Sequence, residues 1–367
     1  MGSLDEKPIL CFATQGHGHL DELRILALLE PLQPRVYPFA RAHKVRSALG
    51  LFRAARAQRP ALIVMEGTGI AGGLAVIAIA RLLRIPYVVS SGDAVGPYLG
   101  LRSRLTGALG GRYERLLCRR SAGFVGWTPY LVGRALTFGA PRAMTAPGWT
   151  RGQASPGARE RVRAELGIPA EMIVAGLIGS LTLNSRVGYA YGAELVRAVR
   201  RVEREGVAVC IVGDGSGLET LRELAGEDLG RRVFLPGRVA PEQVPDHLAA
   251  FDLASLPQSV DGVGSFRYTT KLSEYLAAEL PVVTGQIPAA YDLDEGQFFR
   301  LPGPAPWSEQ YVSKLAALLE RVSAEEIAQR REATRTRRAE PFDRSAQQQR
   351  MRAFVEDIVG AADDTER

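Results

Sequence analysis

Short apolar runs of strand length recur along this chain, each followed by a segment long enough for a helix, and no other feature narrows the fold as far. In the first half the runs are Pro8–Ala13 (PILCFA), Ala61–Met65 (ALIVM), Pro86–Ser90 (PYVVS), Gly123–Trp127 and Met144–Pro147. The pattern restarts from Met172, with Ile173–Ile178, Val207–Val212, Val233–Pro236, Leu253–Leu256 and Pro281–Thr284. Strands that are apolar on both sides need helices over both faces, and alternation at this spacing builds right-handed crossovers in a parallel sheet. Helices are expected near Gly69–Leu83, Gly188–Glu203, Leu218–Ala225 and Pro241–Phe251. A charged helical tail should cover Ala324–Arg344, with a last helix at Ser345–Ile358. The fold class is therefore α/β, with two Rossmann-like parallel-sheet domains. Pro147, Gly148, Thr150, Gly152, Ser155 and Gly157 form a polar, turn-rich stretch that marks the boundary, giving domains over 1–150 and 151–340 and a terminal helix over 341–367.

A chain of 367 residues can bury two sizeable cores. The longest apolar segment, Ile70 to Leu83, contains glycines and falls short of the roughly 20 residues a membrane span needs. The N-terminus has no basic region leading into an apolar segment with a cleavage site, so a cytoplasmic address is expected. Cys11, Cys118 and Cys210 are far apart and form no CxxC; they read as core residues, with neither a disulfide framework nor a zinc site. The net charge of +6 favours anionic partners, though nucleic acid is not among those expected. Two basic segments, Arg41–Arg59 and Arg102–Arg120, mix arginine with apolar residues such as Val45, Leu49 and Phe52. They are either solvated surface helices or contacts for an anionic membrane or a phosphorylated acceptor.

The first strand ends in TQGHGHLDELRILALL, where Gly16 and Gly18 open a tight turn into a helix. Asp21 occupies the third glycine position of GxGxxG, and GxxxxGK[ST] occurs nowhere, so both the dinucleotide and the P-loop readings lose ground. Asp93, in SGDAVGPY, lies just past the carboxyl end of a strand, where open α/β sheets place ligands. It is a candidate for acceptor positioning or proton removal, set against the ordinary turn aspartate.

In the second half, Ser265–Thr284 (SFRYTTKLSEYLAAELPVVT) parses as loop, helix and buried strand. Thr269 or Thr270 can cap the helix and Pro281 stops it, while Leu272, Tyr275, Leu276 and Leu280 gather on one side. Free N–H groups at the helix start suit a diphosphate, and Lys271, one of only four lysines among 46 basic residues, adds a cation. Glu274, one turn in, can accept two hydrogen bonds from a ribose diol; alternatively it is a solvated carboxylate on the helix dipole. Asp292 and Asp294 form a DxD that reads better as a turn than as a metal motif, and no metal site is expected.

The stretch TKLSEYLAAELPVV resembles the donor-binding segment of retaining GT-B glycosyltransferases of the family 4 type, which often reads TKLxEYLAxxxPVV. The resemblance implies two domains facing across a cleft, metal-independent transfer with retention, and a terminal helix that crosses back to the first domain. It also implies no cofactor beyond a nucleoside-diphosphate sugar as co-substrate, with UDP-sugar preferred. The acceptor would be a small molecule, a glycan or a lipid-linked group. By the same resemblance the Gly16–Gly18 loop closes over the sugar diphosphate, with His17 or His19 on phosphate or acceptor unless that histidine is merely an exposed loop residue. Gly215, in VGDGSG, and Arg238, after VFLPG, are donor-side positions. Three departures stand out. Phe266 replaces the first of two glutamates, a role that the backbone amides of Gly264 and Ser265 could fill. The diphosphate-binding Arg and Lys of the family fall at Ser180 and near Arg186 in GSLTLNSRVG, and the loop carrying Asp93 lacks the family's histidine. Two rival readings follow: a nucleotide-sugar-binding protein without transfer activity, or a sugar-nucleotide epimerase on the same fold.

Overall fold

The computed structural model describes residues 7–149, 152–267, 270–336 and 342–366, which separate into two compact units. The first unit contains the chain up to Gly148 together with Phe266, Arg267 and the C-terminal helix. Its strands are β1 (Ile9–Ala13), β2 (Arg35–Val36), β3 (Leu62–Glu66), β4 (Tyr87–Ser91), β5 (Gly123–Gly126) and β6 (Ala143–Thr145). They form one parallel sheet in the order β2-β1-β3-β4-β5-β6. Around it lie α1 (Leu20–Leu29), α2 (Lys44–Gln58), α3 (Ile70–Leu83), α4 (Val95–Gly100), α5 (Arg104–Arg120) and α6 (Pro129–Thr137). Every residue of β1, β3 and β4 is buried, as continuous apolar runs require when helices cover both faces. The order reverses between β1 and β3, so the crevice outside the carboxyl ends of those strands is the natural ligand position.

The second unit, described over 149, 152–265 and 270–336, begins with α7 (Ala158–Leu166) and β7 (Ile173–Ile178). A small antiparallel hairpin follows, β8 (Leu183–Asn184) with β9 (Tyr189–Ala190), then α8 (Ala193–Val199), β10 (Val207–Val212) and α9 (Leu218–Ala225). The chain continues through β11 (Val233–Gly237), α10 (Val244–Ala249), β12 (Leu253–Leu256), α11 (Thr270–Ala277) and β13 (Val282–Gly285). It closes with α12 (Ala289–Asp292), β14 (Phe298–Leu301), α13 (Glu309–Arg321) and α14 (Ala324–Thr336). The main sheet is parallel in the order β11-β10-β7-β12-β13-β14, a doubly wound arrangement that reverses between β7 and β12.

The last helix, α15 (Arg344–Glu366), packs within the first unit: Gln347 exchanges two hydrogen bonds with the backbone of Gly148 (2.6 and 3.0 Å), and Gln348 donates to the Ala27 carbonyl at 2.6 Å. It runs further than the expected Ser345–Ile358, and residues 337–341 of the charged tail lie outside the described residues. The helix expected over Gly188–Glu203 is much shorter. Gly188 and Gly192 adopt φ of 60° and 102°, which a helix does not use, so the hairpin ends and α8 starts only at Ala193. The segment Pro241–Phe251 divides into a 3₁₀ turn and α10, and β2, β14 and α13 add to the expected elements. All three cysteines are buried and unbridged. No helix among the described residues is long and apolar enough to cross a membrane.

Candidate functional site

In the first unit the loops after β1 and β3 are clasped by Thr14, whose hydroxyl donates to the Glu66 carbonyl (3.2 Å) and accepts from the Gly69 N–H (3.3 Å). Gly16 and Gly18 carry positive φ, as the turn demands. The Gly18 N–H donates to Glu22 Oε2 at 2.7 Å, and His17 Nδ1 lies 2.9 Å from the same oxygen, so a buried carboxylate on α1 holds the loop from beneath. His19 is the N-cap of α1: its Nδ1 accepts from the Asp21 N–H at 3.3 Å. Asp21, which the sequence marks only as a missing glycine, has its carboxyl raised above the ordinary range chiefly by burial, with the Asp93 charge adding and His19 and Arg24 opposing. Asp93 itself accepts from Arg267 Nε at 2.7 Å. Gly16, Gly18, His19 and Asp93 are thus gathered on the carboxyl edge of this sheet.

Beneath them sits an ion pair that the sequence did not reveal. Arg24 donates to Glu66 Oε2 (3.2 Å) and Ser90 (3.5 Å), bonds the Ala146 carbonyl, and stacks 4.0 Å over the Trp127 ring. Burial pushes the Glu66 carboxyl up to about 7, against the downward pull of Arg24 and Ser90. The partners are 42 residues apart, a separation at which no periodic pattern signals contact.

The second unit assembles its edge mainly from backbone. The Gly179 N–H donates to Val212 O (2.9 Å), Leu181 N–H to Asp214 O (3.0 Å), Gly213 N–H to Gly237 O (2.8 Å) and Gly217 N–H to Leu181 O (2.7 Å). The loops after β7, β10 and β11 are thereby stitched together. A Cβ at Gly213 would overlap the Gly179 carbonyl, and at φ of 146° only glycine sits there without strain. Gly215 lies equally close, its absent Cβ falling 2.6 Å from the Leu181 carbonyl oxygen.

Across this edge runs Lys271. Its ammonium lies 5.1 Å from the Tyr191 ring, and a Cβ on Gly179 would fall 2.8 Å from Nζ, so glycine at that position makes room for the lysine. Lys271 belongs to α11, which Tyr275 anchors: the ring is fully buried and its hydroxyl accepts from the Ile178 N–H at 3.3 Å, at the end of β7. Thr270 is the first residue of α11 and Glu274 lies one turn in, half-buried; Thr269 lies outside the described residues. Glu279, at φ of 55°, and a bond from Leu280 N–H to Tyr275 O end the helix before Pro281.

Ser180 is exposed and shares a 3.1 Å hydrogen bond with Thr182. Arg186 stands exposed on the turn of the β8-β9 hairpin, and Arg238 is exposed just past β11. The amides of Gly264 and Ser265 both donate to Asp261, to its carboxylate at 2.8 Å and its carbonyl at 3.0 Å, so neither is available as it stands. Phe266 is half-buried against the first unit's core, its carbonyl accepting from Thr128 at 3.2 Å and its ring 5.7 Å from the Arg134 guanidinium. Asp294 accepts from the Gly296 N–H at 2.8 Å and pairs with Arg300, which accounts for half of the DxD as a turn. Gln258, absent from the sequence-level candidates, is buried just past β12 with its Oε1 unpartnered among the described residues.

Two doubly wound parallel sheets of this kind define the GT-B class of glycosyltransferase fold. Residues 174–321 match the family model described as glycosyl transferases group 1, and residues 9–147 match that of the glycosyl transferase 4-like domain. The chain belongs to these family 4-like glycosyltransferases. Among solved structures it is similar to Anabaena Alr3699/HepE in complex with UDP (TM-score 0.71, 17% identity, covering 95% of this chain and 100% of that one). The same protein in complex with UDP-glucose gives a TM-score of 0.70 at 16% identity, covering 96% and 100%. A sucrose-phosphate synthase from Thermosynechococcus elongatus matches with a TM-score of 0.69 at 13% identity, covering 97% and 100%. A search of curated protein sequences finds no match.

Proposed function

We propose that this glycosyltransferase takes its sugar from a UDP-sugar bound by the second unit and delivers it, with retention, to an acceptor bound by the first. The observation that carries the reading is Lys271 lying over Gly179 on a helix pinned to β7 by Tyr275. A diphosphate at the β7/β12 switch point would meet that ammonium and the N–H groups of the first turn of α11, where the helix dipole favours an anion. Glu274, one turn further, is suited to the ribose diol. As the bond from sugar to diphosphate stretches, charge builds on the departing oxygens, and fixed donors in place beforehand stabilise it without reorganising. Arg186, Arg238, Ser180 and Gly215 are assigned as further donor contacts in this reading. The described position of Phe266, packed in the first unit, suits a structural role better than the sugar contact of the glutamate it replaces. The uridine preference draws on the likeness to structures solved with UDP and UDP-glucose.

On the first unit, Asp93 with one oxygen on Arg267 can accept an acceptor hydroxyl with the other, which suits positioning. The mechanism proposed is metal-independent, with Lys271 and helix amides in place of a metal ion. Incubation with a panel of uridine and guanosine diphosphate sugars should give slow hydrolysis to UDP from a uridine donor. Binding without turnover, or an isomerised sugar, would count against transfer. Asp93→Asn should retain UDP binding and lose transfer; full transfer would remove Asp93 from the mechanism.

A further inference from the structure

Beside the polar edge of the first unit lies a cavity of about 890 Å³, within the range of small-molecule sites. Its two ends differ in chemistry. Thr14, Thr68, Asp93 and Arg267 line the end at the carboxyl edge of the sheet, while Leu49 and Phe52 of α2, Leu74 and Ala78 of α3, and Tyr98 and Leu99 of α4 line the other. Ile70, Leu74 and Ala78 recur every four residues and so stack in a line, about 12 Å long at 1.5 Å per residue. Ala71, Gly72 and Ala75 keep the floor beside that line shallow in side chain.

Ala75 and Phe52 tie this lining to the core, while its outer side chains stay outside it. Val45 is 65% exposed, Leu49 57% and Leu74 51%, and together with Ile70 and Tyr98 they form a contiguous apolar surface of the kind that marks a binding site. Charge is added where α2 begins: Arg41 and Lys44 line the cavity, and neither has a carboxylate partner among the described residues. Asp93, the one acidic residue of the lining, is paired with Arg267. A hydrocarbon trough with surplus positive charge fits an anionic amphiphile.

We propose that the acceptor is such an amphiphile. Its hydrocarbon chain lies along α3 between α2 and α4, its anionic linker meets Arg41 and Lys44, and its hydroxyl-bearing end faces Asp93. This deepens the proposed function and rests on the acceptor belonging to the first unit. The concave trough leading to a carboxylate favours a single inserted chain over contact with a bilayer surface.

The test is calorimetry of the full chain with butyl, hexyl and octyl phosphate below their micelle concentrations, with inorganic phosphate and octyl glucoside as single-feature probes. Affinity should rise about tenfold for each two methylenes added. Leu74→Glu should weaken octyl phosphate at least tenfold. Ala78→Trp should do the same by filling the trough without adding charge, and unchanged melting temperatures would show both variants folded. Lys44→Glu should weaken octyl phosphate and spare octyl glucoside. Affinity independent of chain length, or unchanged in both trough variants, would overturn the proposal. So would flotation of wild type on phosphatidylglycerol vesicles without binding of monomeric octyl phosphate. UDP titrated into the same samples separates the two readings: chain-length dependence with no UDP binding would leave the amphiphile site standing and the donor assignment refuted.

Discussion

Where the first sheet reverses order, between β1 and β3, the strand ends are dressed with side chains: Thr14, Glu66, Arg24, Asp21 and Asp93 meet there within an apolar surround. Where the second reverses, between β7 and β12, the edge is mostly backbone, stitched through Gly179, Gly213 and Gly217, with Lys271 laid across it. A glycine-built edge has no Cβ atoms to hold a ligand off the backbone and makes few demands on the rest of the ligand. A side-chain edge beside a hydrocarbon trough is selective for shape and polarity. The difference matches the proposed division of labour, a donor common to many enzymes on one unit and a particular acceptor on the other.

The units also differ in how they bury an acid. Glu66 faces the guanidinium of Arg24, whereas Glu194, fully buried, is met by the hydroxyls of Tyr189 (2.6 Å) and Ser255 (3.0 Å). Burial raises both carboxyls.

The sharpest way to break this comparison is Gly213→Ala. With no room for a methyl beside the Gly179 carbonyl, UDP affinity should fall at least about a hundredfold, roughly 3 kcal/mol, while octyl phosphate binding is retained. Equal loss of both ligands would mean that the two edges are not independent.

Next comes the pH dependence of Glu66. Its carboxyl is held at about 7 instead of the ordinary 4.5, so the folded state keeps the proton more tightly than the unfolded chain. Its contribution to stability is therefore complete below about 4.5 and is lost as pH rises through about 7. Glu66→Gln should flatten that decline by up to about 3 kcal/mol, read from denaturation midpoints across the range. The 3.2 Å ion-pair geometry taken alone suggests the opposite sign; burial outweighs it because the carboxylate is sealed from water. Stability that rises with pH in wild type and not in the variant would reverse this assignment.

The smallest effect is expected at His19. As a helix cap its loss should cost about 1 kcal/mol in stability. A drop in turnover beyond that would place its ring on a substrate.

Much of this contrast was legible before any coordinates. Buried strands such as β1, β3, β7 and β10 are unbroken apolar runs, and α11 shows its buried stripe at Leu272 and Tyr275, continued by Leu280 in the turn after it. The hairpin of β8 and β9 was not, because strands of two residues are too short to show alternation. The pair of Arg24 with Glu66, and that of Asp93 with Arg267 174 residues away, depend on which strands lie side by side. The trough was half visible: Arg41–Arg59 announced an amphipathic basic helix, but that Leu49 and Val45 stay exposed while Leu51 and Ala55 are buried follows only from how α2 packs on α3.

The most direct measurement is calorimetric titration of UDP into wild type and Glu274→Ala. A carboxylate on the ribose diol predicts a loss of at least tenfold, since hydrogen bonds to a charged group contribute roughly 1.5–3 kcal/mol. Identical isotherms for the two proteins would contradict a nucleotide site at the start of α11.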